Sequence, residues 1–196
     1  MKLLKLFEDF NNNQFRNTDD LKNYLHEFSV PFQYWGTGKS KTTEDLLKEI
    51  EDKDCILKEE DGLLIRYIEF VGVEIFYKDK QNNVYRLKED RQVFKDGRVR
   101  KRSLPVSVAE KMQTGEDALI SAIRGIKEEL QIEVEKSQLV KSDDIDFKGG
   151  SLSYPGLRTK YTGHKFKCEL KEHQFVPGGY VENQSTKSTY FVWQKL

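Results

Sequence analysis

Apolar and polar positions follow two different patterns along this chain. Short helical patterns, with apolar residues three or four positions apart, occur in residues 2–10, 18–28 and 42–53. From residue 55 onward the chain is rich in Ile, Val, Phe and Tyr with partial alternation, which predicts strands. The predicted strands cover residues 55–77 and 84–94, a basic segment after the Asp-Gly turn at 96–97, a strand pair over 158–170 and 174–182, and residues 188–196.

One stronger helical pattern interrupts the strands, in residues 115–132, GEDALISAIRGIKEELQI. Its apolar stripe consists of Leu119, Ala122, Ile123, Ile126 and Leu130. Gly125 lies in the middle of this helix, where glycine costs about 1 kcal/mol relative to alanine. One helix within a mostly antiparallel run of strands, with further helices at the start, predicts an α+β fold. We expect a helical appendage over residues 1–54 and one further domain over residues 55–196.

Composition and charge narrow the possible partners. The 196 residues carry 33 basic and 33 acidic side chains, so no overall charge attracts nucleic acid or an anionic membrane, and neither is expected as a partner. No run of 18 apolar residues predicts a membrane span. The start matches neither a signal peptide nor a transit peptide, so a cytoplasmic location is expected. Cys55 and Cys168 lack metal-ligand spacing; two free thiols are expected, with a disulfide as the alternative.

The helix and the residues before it carry a recognisable motif. Residues 110–132 resemble the Nudix box of the Nudix hydrolase family, G-x5-E-x7-R-E-U-x-E-E-x-G-U, where U is a bulky apolar residue. The positions that match in register are Glu116, Arg124, Ile126, Glu128, Glu129 and Ile132. Three positions depart from the pattern: Glu110 and Gln131 replace its glycines, and Gly125 replaces the glutamate after the arginine. The resemblance implies a Nudix-like mixed or antiparallel sheet with the box helix packed on it.

The resemblance also implies roles for the matched residues. Glu128 and Glu129 are expected to hold Mg²⁺ or Mn²⁺ and to act in catalysis, with Arg124 orienting the carboxylates and Glu116 supporting them. Carboxylates at positions i, i+3 and i+4 share a helix face, and Gly125 leaves one of these three places without a ligand. Two carboxylates with waters and phosphate oxygens can still hold a hard divalent ion. A later glutamate could replace the missing one, and the candidates are Glu169, Glu172 and Glu182.

Two other segments could bind anions. If residues 98–102 form a strand, Arg98, Arg100 and Arg102 share one face, which could contact substrate phosphates, RNA or an acidic protein; the alternative is an ordinary solvated strand. The segment GTGKSKT at residues 36–42 is similar to a phosphate loop, but Gln33 stands where that loop needs its first glycine. We therefore interpret it as a connector whose Thr42 caps the next helix.

Three functions fit these patterns. The first is a divergent Nudix-fold protein that binds a phosphorylated ligand, such as a nucleotide, or a protein partner, with weak or no pyrophosphohydrolase activity because of Gly125. The second is an active Mg²⁺-dependent hydrolase of nucleoside diphosphate-linked compounds. The third is a structural subunit of a larger assembly, with the appendage, the basic strand and two tryptophans as contact surface.

Overall fold

A computed structural model describes residues 15–196, and its packing divides the chain into two compact units. The first unit comprises Met1–Glu69, of which residues 15–69 are described, together with Met112–Gly115 and Ile145–Thr162. The second unit comprises Phe70–Lys111, Glu116–Asp144 and Gly163–Leu196. The predicted boundary between residues 54 and 55 stays a prediction. The packing groups residues 55–69 with the helices that precede them.

Three α-helices and ten strands are present in the described residues. The helices are α1 (Thr18–Glu27), α2 (Thr43–Glu51) and α3 (Ala118–Leu130), with short 3₁₀ helices at Phe32–Tyr34, Lys136–Gln138 and Glu172–Gln174. The strands are β1 (Ile56–Glu60), β2 (Leu63–Lys78), β3 (Val84–Phe94), β4 (Val99–Arg100), β5 (Val108–Lys111), β6 (Leu139–Lys141), β7 (Ile145–Gly150), β8 (Arg158–Glu169), β9 (Tyr180–Asn183) and β10 (Lys187–Lys195). The predicted α+β class is confirmed.

The first unit contains two of the predicted helices, each with a side-chain cap. The side chain of Asn17 accepts a 2.9 Å hydrogen bond from the backbone N–H of Asp20 at the start of α1. Thr42 and Asp45 form a reciprocal capping box at the start of α2, so the predicted cap of this helix is confirmed. The helix predicted over residues 2–10 lies outside the described residues.

The core of the first unit is formed by α1, α2, β1 and the start of β2. Leu21, Leu25 and Leu46 are fully buried in it. Trp35 is buried against Tyr154, and its indole N–H donates to the carbonyl of Pro155 at 2.8 Å. Trp35 is therefore held by packing and by a satisfied polar group.

The second unit is built on a sheet with the strand order β6-β8-β2-β3-β10-β9, in which β5 pairs with β2 and β4 with β3. The predicted strand pair over 158–170 and 174–182 is wrong. The second of these segments contributes β9, which pairs antiparallel with β10, whereas β8 pairs with β6. Only residues 184–186 connect β9 to β10, and so short a hairpin loop brings two strands together at low entropic cost.

Helix α3 lies in the second unit and contacts β5 and β9. It begins after Asp117, whose carboxylate accepts from the backbone N–H groups of Leu119 and Ile120 at 3.0 Å. Its buried face consists of Ser121, Ala122, Gly125, Ile126 and Leu130. This buried face differs from the predicted apolar stripe. It includes Gly125, whereas Leu119 and Ile123 of the stripe are only partly buried.

Two further predictions concern the whole chain. Among residues 15–196, no helix is both long enough and apolar enough to cross a membrane. Cys55 and Cys168 are both buried and form no disulfide; Cys55 lies in the first unit and Cys168 in the second. Burial raises the pKa of Cys168 to about 12, so this thiol is protonated and unreactive at neutral pH.

Candidate functional site: an acidic cleft beside helix α3

The second unit contains a cleft of about 200 Å³ in which charged side chains from several elements meet. Four carboxylates line it, those of Glu89 on β3, Glu110 on β5, Glu129 on α3 and Glu182 on β9. Two cations, Arg102 and Lys187, line it as well. We call this the acidic cleft. Pockets that hold a whole small molecule have volumes of about 300 Å³ or more, so this cleft is smaller than a typical ligand pocket. Its volume suits a phosphate group with a metal ion and water.

Glu129 is the most perturbed acid in this cleft. Burial, and after it the nearby charges of Glu182 and Glu110, raise its pKa to about 8. The backbone N–H of Ala109 donates to the carboxylate and opposes the shift only in part. Like charges held this closely repel one another, so a bound cation would be stabilised here by the relief of that repulsion.

The cations of the acidic cleft are held in place by hydrogen bonds to neighbouring side chains. Arg102 donates from Nε to Glu89 Oε1 at 2.9 Å and from Nη2 to the other oxygen of the same carboxylate. This bidentate pairing raises the pKa of Arg102. The amide of the buried Gln92 lies 3.0 Å from both Arg102 Nη2 and Lys187 Nζ, so its oxygen faces the two cations. The cleft therefore offers fixed N–H donors next to carboxylates that are not all neutralised.

Arg124 joins β5, the loop before α3 and α3 itself. Its Nε and Nη2 donate to the two oxygens of Glu116 at 3.1 and 3.0 Å, and Nη2 also donates to the carbonyl of Lys111 at 3.0 Å. Its Nη1 donates to Glu110 Oε1 at 3.2 Å. The hydrogen bonds that Arg124 donates to Glu116 are the main cause that raises the pKa of Arg124. Arg124 therefore links three segments of the second unit, and the orienting role predicted for Arg124 and the supporting role predicted for Glu116 stay predictions.

The structure does not bring Glu128 to the acidic cleft. Glu128 is exposed, and its Oε2 lies 3.4 Å from Arg124 Nη1. Successive residues on an α-helix point about 100° apart, so Glu128 and Glu129 face different surroundings. Of the two predicted metal ligands, only Glu129 lies in the cleft.

Of the three predicted binding arginines, one lies in the cleft. The strand predicted for residues 98–102 is limited to Val99–Arg100, so no continuous arginine face is formed. Arg98 pairs with Asp96 at 2.7 Å, its guanidinium lies over the ring of Phe94, and Arg100 is exposed. Only Arg102 lines the acidic cleft.

Of the three glutamates considered as replacements for the missing carboxylate, one lies in the cleft. Glu182 lines it, whereas Glu172 pairs with Lys80 at 2.7 Å and Glu169 lies on β8 outside it. Three charged residues of the cleft were missed by sequence reasoning, namely Glu89, Glu110 and Lys187. A signal existed for Glu110 alone, because it stands at the first glycine of the box pattern.

The residues of the acidic cleft fit a hard divalent cation by their chemistry. Carboxylate oxygens are the ligands that Mg²⁺ takes in proteins, commonly one or two of them together with water and substrate oxygens. Throughout residues 15–196, no three Asp, Glu, His or Cys side chains lie close enough to form a complete cage for a metal ion. The buried hydroxyl of Thr189 lines the cleft and has no hydrogen-bond partner in the described part of the chain. One or two glutamates with water and ligand oxygens therefore match this donor set.

Comparisons with known proteins give structural neighbours only. No family model and no curated protein matches the chain. A MutT/nudix family protein from Enterococcus faecalis is similar at 14% identity and a TM-score of 0.46; the match covers 93% of this chain but only 57% of that one. The E. coli dihydroneopterin triphosphate pyrophosphohydrolase is similar at 23% identity and a TM-score of 0.37, over 64% of this chain and 78% of the other.

A third neighbour is the T. brucei MERS1–RNA complex, at 16% identity and a TM-score of 0.38, over 88% of this chain and 67% of that chain. Identities and TM-scores this low say nothing about the ligand or the activity of the chain. The Nudix resemblance therefore rests on residues 110–132 and on the geometry around them.

Proposed function

We propose that the acidic cleft binds a phosphorylated ligand together with Mg²⁺ or Mn²⁺, and that hydrolysis of a pyrophosphate bond there is weak or absent. The observation that carries this proposal is the meeting of Glu129, with its pKa of about 8, and the cations Arg102 and Lys187 in one cleft of about 200 Å³. Carboxylates that repel one another favour a cation, and fixed N–H donors beside them favour phosphate oxygens.

Each residue has a distinct task in this proposal. Once deprotonated, Glu129 would contribute a carboxylate oxygen to the cation, while Arg102 and Lys187 would donate to phosphate oxygens. Arg124 donates to both Glu116 and Glu110, and so ties the loop before α3 to strand β5. A bound divalent cation would neutralise phosphate charge and lower the pKa of a coordinated water.

Weak hydrolysis follows from two features of helix α3. Gly125 supplies no carboxylate, and Glu128 is exposed next to Arg124 rather than in the cleft. With fewer carboxylates on the helix to accept a proton from water, the transition state would lose part of its electrostatic stabilisation. Binding to phosphate oxygens needs fewer of these groups than turnover does.

A second candidate is the active Mg²⁺-dependent hydrolase of nucleoside diphosphate-linked compounds. Glu110 favours it, because this carboxylate lines the cleft although the box pattern has a glycine at its position. A protein partner, a role as structural subunit and a cytoplasmic location stay predictions.

The test measures phosphate release from a panel of nucleoside diphosphate-linked compounds, and binding of inorganic pyrophosphate, with and without Mg²⁺ or Mn²⁺. Glu129→Gln is compared with Glu133→Gln, which removes an exposed carboxylate paired with Lys127 at 2.6 Å. We expect cation-dependent pyrophosphate binding by the wild type, lost in Glu129→Gln and kept in Glu133→Gln, with little phosphate release.

Rapid phosphate release by the wild type, abolished in Glu129→Gln, would favour the second candidate. Pyrophosphate binding that needs no divalent cation, or that is unchanged in Glu129→Gln, would contradict the proposed site.

A further inference from the structure

Glycine is needed at position 125 because strand β5 approaches helix α3 closely there, and not because of its backbone conformation. It lies inside α3, and its φ is not positive. A Cβ atom at this position would stand 2.9 Å from Glu110 Cβ, 3.3 Å from Glu110 Cγ and 3.4 Å from Val108 Cγ1. The first of these distances is shorter than two carbon atoms tolerate without displacement, so β5 and α3 leave room for one side chain at this point.

Two departures from the box pattern therefore concern one place in the fold. The pattern has glycine at the position of Glu110 and glutamate at the position of Gly125, and this chain has the two residue types exchanged. Because the side chain of Glu110 occupies the space beside Gly125, the exchange keeps one glycine and one glutamate at the crossing of β5 and α3. The carboxylate is retained and now comes from the strand.

The position of Glu110 also fits a role in the acidic cleft. It lines the acidic cleft with Glu129, and its charge contributes to the raised pKa of Glu129. Arg124 Nη1 donates to its Oε1 at 3.2 Å, which ties the carboxylate to the same guanidinium that holds Glu116. The buried, unpartnered hydroxyl of Thr189 lines the same cleft within the described residues, and a ligand or its water would give it a partner.

We propose that Glu110 is a ligand of the divalent cation in the acidic cleft, and that it holds the cation in place of the carboxylate that position 125 lacks. This inference rests on the proposed function, because it assumes that the cleft binds a cation. It names a ligand that the matched positions of the box do not include. The cation would be held by Glu129 from the helix and by Glu110 from the strand, with water and phosphate oxygens completing its shell.

The test is an exchange of the two residues, read out by Mn²⁺ binding and by thermal unfolding of the metal-free protein. Binding is followed by electron paramagnetic resonance of free Mn²⁺ for the wild type, Glu110→Gln, Glu110→Gly, Gly125→Glu and the double variant Glu110→Gly/Gly125→Glu. Glu133→Gln serves as the control for loss of an exposed carboxylate on the same unit.

We expect Glu110→Gln and Glu110→Gly to weaken Mn²⁺ binding by about tenfold or more, while Glu133→Gln binds as the wild type does. Gly125→Glu alone places two side chains where one fits, so the melting temperature of the metal-free protein should fall. The double variant should regain both the melting temperature and the Mn²⁺ affinity of the wild type.

Three results would overturn the inference, and they are distinguishable. Wild-type Mn²⁺ affinity in Glu110→Gln would remove Glu110 from the site but leave the proposed function intact. A double variant no more stable than Gly125→Glu would show that the two positions do not share one space. Absence of Mn²⁺ binding by the wild type would contradict both the inference and the proposed cation site.

Discussion

The titration of Glu129 gives a prediction whose size can be worked from the structure. Its pKa lies near 8 in the folded protein, against 4.5 for an ordinary glutamate. Between these values the folded chain retains a proton that the unfolded chain has released, so the free energy of unfolding decreases as the pH rises. Each pH unit in this window costs about 1.4 kcal/mol, so the upper limit over the whole window is on the order of 5 kcal/mol.

Glu129→Gln tests this reasoning, because glutamine resembles the protonated carboxyl and does not titrate. Below about pH 4.5 the two proteins should be similarly stable. At pH 7 the variant should be more stable by about 2–3 kcal/mol, because relaxation and water entry reduce the upper limit. Urea unfolding in EDTA at pH 5, 6, 7 and 8 measures the difference, with Glu133→Gln as the control for loss of an exposed carboxylate.

The free energies of unfolding of the wild type and Glu129→Gln could instead change in parallel from pH 5 to 8. In that case burial and like charges do not raise the pKa of Glu129 in the folded protein. A pH-dependent difference that also appears in Glu133→Gln would assign the effect to net charge and not to the acidic cleft.

Further predictions concern the ends of α3, the cleft and the first unit. Gln131 caps α3 at a φ of 59°, so Gln131→Gly should raise the free energy of unfolding by about 0.5–1 kcal/mol in urea denaturation. Arg102→Ala should weaken calorimetric binding of pyrophosphate by about tenfold or more, whereas Arg100→Ala, outside the cleft, should leave it unchanged. Arg66 and Glu49 form a buried ion pair, so Arg66→Met should cost about 3 kcal/mol and Arg66→Met/Glu49→Leu clearly less, measured by thermal unfolding.

Local features of the chain were predictable from the sequence. Helices α1 and α2 follow from short apolar periodicity, and Thr42 with Asp45 gives the start of α2 directly. These signals lie within a few residues of one another, so no knowledge of distant contacts is needed. The position of α3 was predictable for the same reason.

The composition of the acidic cleft was not predictable, because strand pairing brings its members together. Glu89, Glu182 and Lys187 come from three strands, and their neighbours in sequence give no sign of a shared site. Sequence reasoning placed β9 beside β8, and this error alone would have put Glu182 in the wrong place. The sequence shows that position 125 lacks the carboxylate of the box pattern. The reason for the glycine is the close approach of Glu110, which only the packing of β5 on α3 shows.

Diffraction from a crystal of the wild-type protein soaked in Mn²⁺ tests the central claim most directly, because anomalous scattering locates the ion. We predict one strong peak in the acidic cleft at about 2.1 Å from carboxylate oxygens of both Glu129 and Glu110. A peak beside Glu128 on the exposed face of α3, or no peak in the cleft at saturating Mn²⁺, would contradict the account.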